Sequence, residues 1–292
     1  MHRRPRSTRA TTIATIAVAA TLAFGALTAC KPAPDTYVAM GDSYTAGPLI
    51  PDQSLEPLGC LRSDRNYAQL TAPEVAAAKF VDVSCSGAQT KHFAQTQGVT
   101  PGPNPPQYDA LGATTKIVTI GIGGNDIGFS DIVKNCATEN PFGDGCEPEY
   151  VHDGRDELRE EIAATAPKID AVIDEVQRRA PSAQVFIVGY PTILPETGGG
   201  CYPVVPILPD DVRYLRGVAK ALNAMLADRA AAGGVHYVDV ATSSIGHDMC
   251  SSSRWVESII PTNLAAPVHP NAAGMRNTAR EVTAAIDAVV TS

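Results

Sequence analysis

In the stretch VAMGDSYTAG at residues 38–47, an apolar segment runs into a glycine, an aspartate and a serine. In an open α/β sheet, ligands bind outside the carboxyl ends of the strands, so Ser43 stands where a nucleophile would act. A serine nucleophile needs a base, and neutral histidine supplies one near pH 7. The alternative is that Ser43 only caps the helix that follows it.

Of the six histidines, five lie beyond residue 30, and the setting of His269 suits a base. It belongs to Val268-His269-Pro270-Asn271, where the proline ends an incoming segment and a final helix is predicted to start. A histidine at this junction would lie near the edge of the sheet, although a structural role is the alternative. His92, His152 and His236 are interpreted as structural or solvated, with His152 in a polar loop.

Glycine-containing turns follow two other predicted strands, one at Ser86-Gly87 and one at 121–126. Glycine allows backbone N–H groups to approach a ligand closely, and the Asn125 amide could donate to a developing oxyanion. The second turn does not fit a G-x-G-x-x-G dinucleotide motif, because Asp126 occupies the last glycine position. The three turns are therefore expected to converge on one edge of the sheet.

Five β-rich runs alternate with helical segments along the chain. The strands that these runs predict would position the three turns. They cover residues 37–40, 80–83, 117–120, 185–188 and 235–240. This alternation predicts a single α/β domain with a central, mostly parallel five-stranded sheet that is covered on both faces. Proline- and glycine-rich stretches at 97–106 and 191–209 are predicted loops.

Three helices are predicted from apolar residues at helical spacing. The first stripe contains Ile169, Val172, Ile173 and Val176, and the second contains Val212, Leu215, Val218, Leu222 and Leu226. The last stripe contains Ala279, Val282, Ala285, Ile286 and Val289, with Asn271 as the expected N-cap.

The N-terminal region has the pattern of a secretory signal, because basic residues precede an apolar run at about 13–27. This run is shorter than the roughly 18 residues of a spanning helix. It ends in Leu27-Thr28-Ala29-Cys30, which resembles a bacterial lipobox. We therefore expect a lipoprotein signal peptide at 1–29, lipidation at Cys30, a tether at 30–35 and one domain at 36–292.

Cleavage before Cys30 would remove four of the 23 basic residues and none of the 31 acidic residues, which leaves a net charge of −12. Such a chain is a poor partner for nucleic acid. Of the seven cysteines, six would then be left to form three disulfides in an oxidising compartment. Their pairing is open, although Cys136 and Cys146 make the easiest closure. No CxxC pair is present, so zinc is not expected.

Taken together, these motifs resemble, in order, the four blocks of the SGNH (GDSL) hydrolases, from Tyr37 to the C-terminus. Gly41-Asp42-Ser43 is similar to the first block, with Tyr44 in place of the usual leucine. Gly87 is similar to the second block, 123–126 to the third and His269-Pro270-Asn271 to the last. The resemblance implies a flavodoxin-like three-layer α/β/α fold and hydrolysis of carboxylic esters through an acyl-enzyme.

The resemblance also implies a role for each matched residue. Ser43 would be the nucleophile and His269 the general base, and the oxyanion would be held by the Ser43 and Gly87 N–H groups and the Asn125 amide. Secreted actinomycete-type members carry six cysteines, which suggests the disulfides Cys60–Cys85, Cys136–Cys146 and Cys201–Cys250.

One position departs from the family pattern, because Ala266 stands where an aspartate often orients the histidine. We expect the backbone carbonyl of Ala266 or Pro267 to take this role, with Asp239 or Asp248 as the alternative. A carbonyl can fix the tautomer, although it stabilises imidazolium less than a carboxylate does. Asp42 and Asp126 are interpreted as bracing their turns.

The expected protein is a monomeric, extracytoplasmic esterase or lipase, either secreted or attached to the membrane through Cys30, that needs no metal or cofactor. Its substrates would be acyl glycerides, small esters or acetylated glycans. Two alternatives use the same machinery, a carbohydrate O-acetylesterase and a phospholipase. A third alternative is a lipoprotein that keeps the fold only for binding.

Overall fold

The computed structural model describes residues 1–2, 36–75 and 77–290. The chain divides into two units, Met1–Pro32 and Ala33–Ser292, and the second contains every helix and strand described below. Apart from residues 1 and 2, the predicted signal peptide lies outside the described residues, as do Cys30 and the tether. Within the described residues, no helix is long and apolar enough to cross a membrane.

Five parallel strands form the central sheet, as predicted. In chain order the strands are β1 (Thr36–Gly41), β2 (Lys79–Asp82), β3 (Thr115–Gly121), the two short strands β4 (Val151–His152) and β5 (Arg155–Asp156), then β6 (Gln184–Val188) and β7 (His236–Val238). The sheet has the order β2-β1-β3-β6-β7, while β4 and β5 pair as a separate antiparallel hairpin. His152 therefore lies in a short exposed hairpin rather than in a loop.

The last strand of the sheet is shorter than the predicted 235–240. The Asp239 carboxylate accepts hydrogen bonds from the backbone N–H of Thr242 at 3.1 Å and from its hydroxyl at 2.6 Å. This turn diverts the chain from the sheet directly after β7, because a short acceptor side chain competes with the strand for backbone donors.

In the part of the chain that the structure describes, seven α-helices lie around the sheet. They are α1 (Ser43–Ala46), α2 (Tyr67–Thr71), α3 (Phe129–Cys136), α4 (Glu147–Tyr150), α5 (Glu157–Arg179), α6 (Pro209–Ala232) and α7 (Ala272–Val290). The three predicted apolar stripes lie on α5, α6 and α7. Asn271 caps α7, since its side-chain oxygen accepts from the N–H groups of Ala273 at 2.9 Å and Gly274 at 3.2 Å.

Two apolar cores lie on opposite faces of the sheet. Successive residues of a strand point to opposite faces, so Val38 and Met40 pack with the helices α5 and α6. Tyr37 and Ala39 pack on the other side with α2 and α7. The predicted three-layer α/β/α architecture is therefore confirmed.

Three disulfides link the loops around the sheet, and they are the pairs that the resemblance implies: Cys60–Cys85, Cys136–Cys146 and Cys201–Cys250. The first ties the loop that carries Gly87 to the turn before α2, and the last ties the long loop after β6 to the segment that precedes His269. Structural disulfides persist in oxidising compartments, so the folded domain is extracytoplasmic.

Candidate active site

The turn between β1 and α1 places Ser43 at the carboxyl edge of the sheet. Gly41 has φ +147°, and a Cβ there would lie 2.4 Å from the Gly121 carbonyl oxygen, so the turn requires glycine. Asp42 is the helix cap, because its Oδ1 accepts from the N–H of Tyr44 at 2.8 Å. The alternative in which Ser43 itself caps the helix is therefore wrong.

Ser43 and His269 meet although 226 residues separate them in sequence. The serine Oγ lies 2.7 Å from Nε2 of the imidazole, and Nδ1 lies 2.7 Å from the carbonyl oxygen of Pro267. Since that carbonyl only accepts, Nδ1 carries the proton in neutral histidine and Nε2 is left to accept the serine proton. Burial lowers the pKa of His269, and the hydrogen bond to Pro267 offsets part of that effect.

The carbonyl that contacts the imidazole belongs to Pro267 and not to Ala266. The Ala266 carbonyl instead accepts from the backbone N–H of His269 at 3.2 Å. Asp239 is engaged by Thr242, and Asp248 accepts from the backbone N–H of Cys250 at 2.9 Å. Within the described residues, neither aspartate makes a hydrogen bond to His269.

The turn that contains Gly87 and the turn that contains Asn125 lie beside Ser43 and His269, and hydrogen bonds join these two turns. Asn125 donates through its side-chain amide to the Ala88 carbonyl at 2.9 Å, and the Gln89 amide donates to the Asn125 carbonyl at 2.9 Å. The N–H of Ser43, at the first position of α1, has no intrahelical acceptor. The N–H of Gly87 has no acceptor within the described part of the chain. Among the described residues, neither backbone donor therefore has a hydrogen-bond acceptor.

Asp42 links the serine turn to the Asn125 turn through Tyr190, a residue that the sequence reasoning missed. The Tyr190 hydroxyl donates to Oδ2 of Asp42 at 2.6 Å and accepts from the N–H of Gly124 at 2.8 Å. Burial raises the pKa of Asp42 to about 7, and the Tyr190 hydrogen bond opposes that rise. Tyr190 follows β6 just as Ser43 follows β1. Its place after the carboxyl end of a strand was the feature of the sequence that could have indicated a residue of the site.

Asp126 fastens the Asn125 turn to the segment after Gly87. Its carboxylate accepts from the hydroxyl of Thr90 at 2.6 Å and from the N–H of Thr90 at 3.0 Å. These hydrogen bonds agree with the bracing function expected for both aspartates, since each carboxylate is occupied by contacts between turns.

An apolar cleft opens beside Ser43 and Asn125. Its walls come from α3, α6 and the loop after β6, and its apolar lining includes Ile127, Phe129, Ile132, Val133, Ile193, Leu194, Ile207, Leu215, Val218, Leu222 and Met249. The long loop was predicted, but its contribution to a cleft was not. Across residues 36–75 and 77–290, no group of three or more His, Cys, Asp or Glu side chains is arranged to hold a metal ion.

The three-layer α/β/α domain thus carries a serine–histidine pair at the carboxyl edge of its sheet. The chain belongs to the GDSL-like lipase/acylhydrolase family, whose pattern matches residues 39–276. It is accordingly a carboxylic ester hydrolase, which excludes the alternative of a lipoprotein that only binds.

Relatives from Streptomyces are similar over nearly the whole chain. Lipase 2 of Streptomyces coelicolor is 38% identical over 283 residues, which cover 91% of this chain and 93% of that protein. Among solved structures, the extracellular lipase of Streptomyces rimosus has a TM-score of 0.74 and 30% identity, covering 86% of this chain and 99% of the other. The structure of phospholipase A1 of Streptomyces albidoflavus has a TM-score of 0.73 and 28% identity, and the match covers 87% of this chain and 100% of the other.

Proposed function

We propose that the protein hydrolyses esters of medium and long acyl chains, as a lipase or phospholipase, with Ser43 as nucleophile and His269 as general base. The observation that carries the proposal is the 2.7 Å contact between the serine Oγ and the imidazole Nε2, placed at an apolar cleft. Oγ attacks the ester carbonyl carbon while its proton moves to Nε2. The imidazolium then protonates the leaving alcohol, and a water activated by the same histidine releases the acid.

Three donors are proposed to stabilise the negative oxygen of the tetrahedral intermediate: the N–H groups of Ser43 and Gly87 and the side-chain amide of Asn125. The free backbone donors and the contact of Asn125 with Ala88 support this assignment, because donors fixed before the reaction need no reorganisation. The Pro267 carbonyl is proposed to orient His269 and to keep its proton on Nδ1.

The apolar cleft supports longer acyl chains as the acyl part of the ester substrate. An acetyl group would place only one methyl group against its walls, whereas each further buried methylene contributes about 0.8 kcal/mol. A bound chain would run along α6, because Leu215, Val218 and Leu222 lie on one face of this helix. This favours acyl glycerides or phospholipids over acetylated glycans.

A panel of p-nitrophenyl esters tests this substrate class. We expect kcat/KM to rise at least about 100-fold from acetate to octanoate, because six more methylenes become buried. Ala219→Leu, which projects into the cleft, should lower the octanoate value and leave the acetate value unchanged. Ala224→Leu is the matched control, because Ala224 is an exposed residue of α6 that does not line the apolar cleft. Equal rates along the panel, or a preference for acetylated xylan, would favour the O-acetylesterase.

We also propose that Cys30 carries a lipid anchor. The three disulfides use six of the seven cysteines, and Cys30 in Leu27-Thr28-Ala29-Cys30 is the seventh. In cells fed a radiolabelled fatty acid, the wild type should incorporate label and sediment with membranes. The variant Cys30→Ala should lose the label. Label that persists in this variant would contradict the proposal.

A further inference from the structure

Tyr44 contacts the histidine turn from the position directly after the nucleophile. Its hydroxyl donates to the carbonyl oxygen of Val268 at 2.6 Å, and its ring centroid lies 4.9 Å from that of His269. The side chain is buried, and its ring also meets Tyr190 at 5.0 Å and Phe129 at 5.9 Å. Tyr44 is therefore held on several sides and has a defined position against the imidazole.

The hydrogen bond from Tyr44 is made to a residue, Val268, whose backbone conformation is unfavourable. Val268 has φ +60°, a left-handed conformation that is unfavourable for a β-branched residue. This conformation lies between the Pro267 carbonyl and the imidazole that contacts it at 2.7 Å. The N–H of Val268 makes only a long contact of 3.4 Å with the Ser258 carbonyl. Of these two backbone contacts of Val268, the hydrogen bond from Tyr44 is the shorter, and it holds the Val268 carbonyl directly.

We propose that Tyr44 is a positioning residue for His269: its hydroxyl holds the Val268 turn so that the Pro267 carbonyl can orient the imidazole toward Ser43. The inference rests on the proposed function of Ser43 and His269. A leucine at this position could fill the space but could not donate a hydrogen bond. Burial raises the pKa of Tyr44, so the hydroxyl keeps the proton that it donates.

Kinetics of Tyr44→Phe test the role of the hydroxyl, because phenylalanine keeps the ring packing. We expect kcat for p-nitrophenyl octanoate to fall about 10- to 100-fold, since small displacements of a base are costly, with KM within about twofold of the wild type. Tyr202→Phe is the control, because the Tyr202 hydroxyl donates to the Glu139 carbonyl at 2.8 Å on an exposed loop. It should leave both constants unchanged.

A spectroscopic measurement separates positioning from general destabilisation. In proton NMR of the wild type, we expect a downfield imidazole resonance from Nδ1–H bonded to the Pro267 carbonyl. In Tyr44→Phe this proton should shift upfield and exchange faster with water. Replacement of Tyr44 by 4-aminophenylalanine restores a hydrogen-bond donor on the same ring. This variant should restore both the imidazole signal and kcat. It also provides a test of the inference if the phenylalanine variant does not fold.

An unchanged kcat and imidazole signal in folded Tyr44→Phe would overturn the inference, as would failure of 4-aminophenylalanine to restore either one. Fluorophosphonate labelling distinguishes this result from failure of the proposed function. Absence of label on Ser43 in the wild type would refute the nucleophile itself. Labelling of Ser43 at the wild-type rate in Tyr44→Phe would refute only the role of Tyr44.

Discussion

Ser43→Ala is expected to lower kcat for p-nitrophenyl octanoate by at least about 10⁴-fold, because no acyl-enzyme can form without the hydroxyl. The binding cleft and the oxyanion donors persist in this variant, so KM should change little. The serine hydroxyl bonds only to His269 among the described residues, and the melting temperature should therefore stay within a few degrees of the wild type. Steady-state kinetics and thermal unfolding measure both effects.

The chain offers a matched control for this substitution. Ser253 Oγ lies 3.3 Å from Nδ1 of His247, so a second serine hydroxyl is also within hydrogen-bond distance of a histidine. His247 stacks on Trp255 with a centroid distance of 3.6 Å, and neither Ser253 nor His247 lines the apolar cleft. Ser253→Ala should retain full activity. Comparable losses in the two alanine variants would show that the Ser43 contact has no special function.

His269→Ala is expected to lower kcat by about 10⁴-fold, because the serine proton then has no acceptor. His247→Ala is the control and should be active. Asp239→Asn and Asp248→Asn should change kcat by no more than about threefold, since neither carboxylate contacts the imidazole. A loss on the order of 10⁴-fold from either aspartate variant would contradict the carbonyl as the orienting group.

The acid limb of the pH profile reports on the same histidine. The base acts in its neutral form, and burial penalises the charged form, which lowers the pKa of His269 below its ordinary value of 6.5. Activity should therefore be fully present at neutral pH, persist through pH 6.5 and fall only below it. A midpoint of the kcat/KM profile above 6.5 would show that another group controls the limb.

Local patterns were sufficient to predict the layers of the fold. Alternating β-rich runs and helical stripes locate all five strands of the sheet and the helices α5, α6 and α7, because burial on one or both faces leaves a periodic trace in the sequence. The strand ends carry Ser43 and Asn125, and the proline before Asn271 marks the last helix. These features predict which residues lie at the site, but they do not predict which atoms those residues contact.

Contacts between loops that are distant in sequence produce no periodic pattern in the sequence. The sequence could not choose between the carbonyls of Ala266 and Pro267, because the choice depends on the left-handed turn at Val268. Tyr190 was missed because its hydroxyl bridges Asp42 and Gly124 from the loop after β6, which is distant from both in sequence. The apolar cleft is likewise assembled from helices and a loop that are distant in sequence, so its shape follows only from the folded chain.

Identification of the covalent intermediate tests the central claim most directly. The enzyme is mixed with p-nitrophenyl octanoate, quenched in acid within the first turnovers and analysed by peptide mass spectrometry. We predict one octanoyl group per chain, on the peptide that contains Ser43 and on the Ser43 oxygen itself, with no adduct in Ser43→Ala. An octanoyl group on another residue, formed at the rate of turnover, would contradict the assignment of Ser43 as the nucleophile.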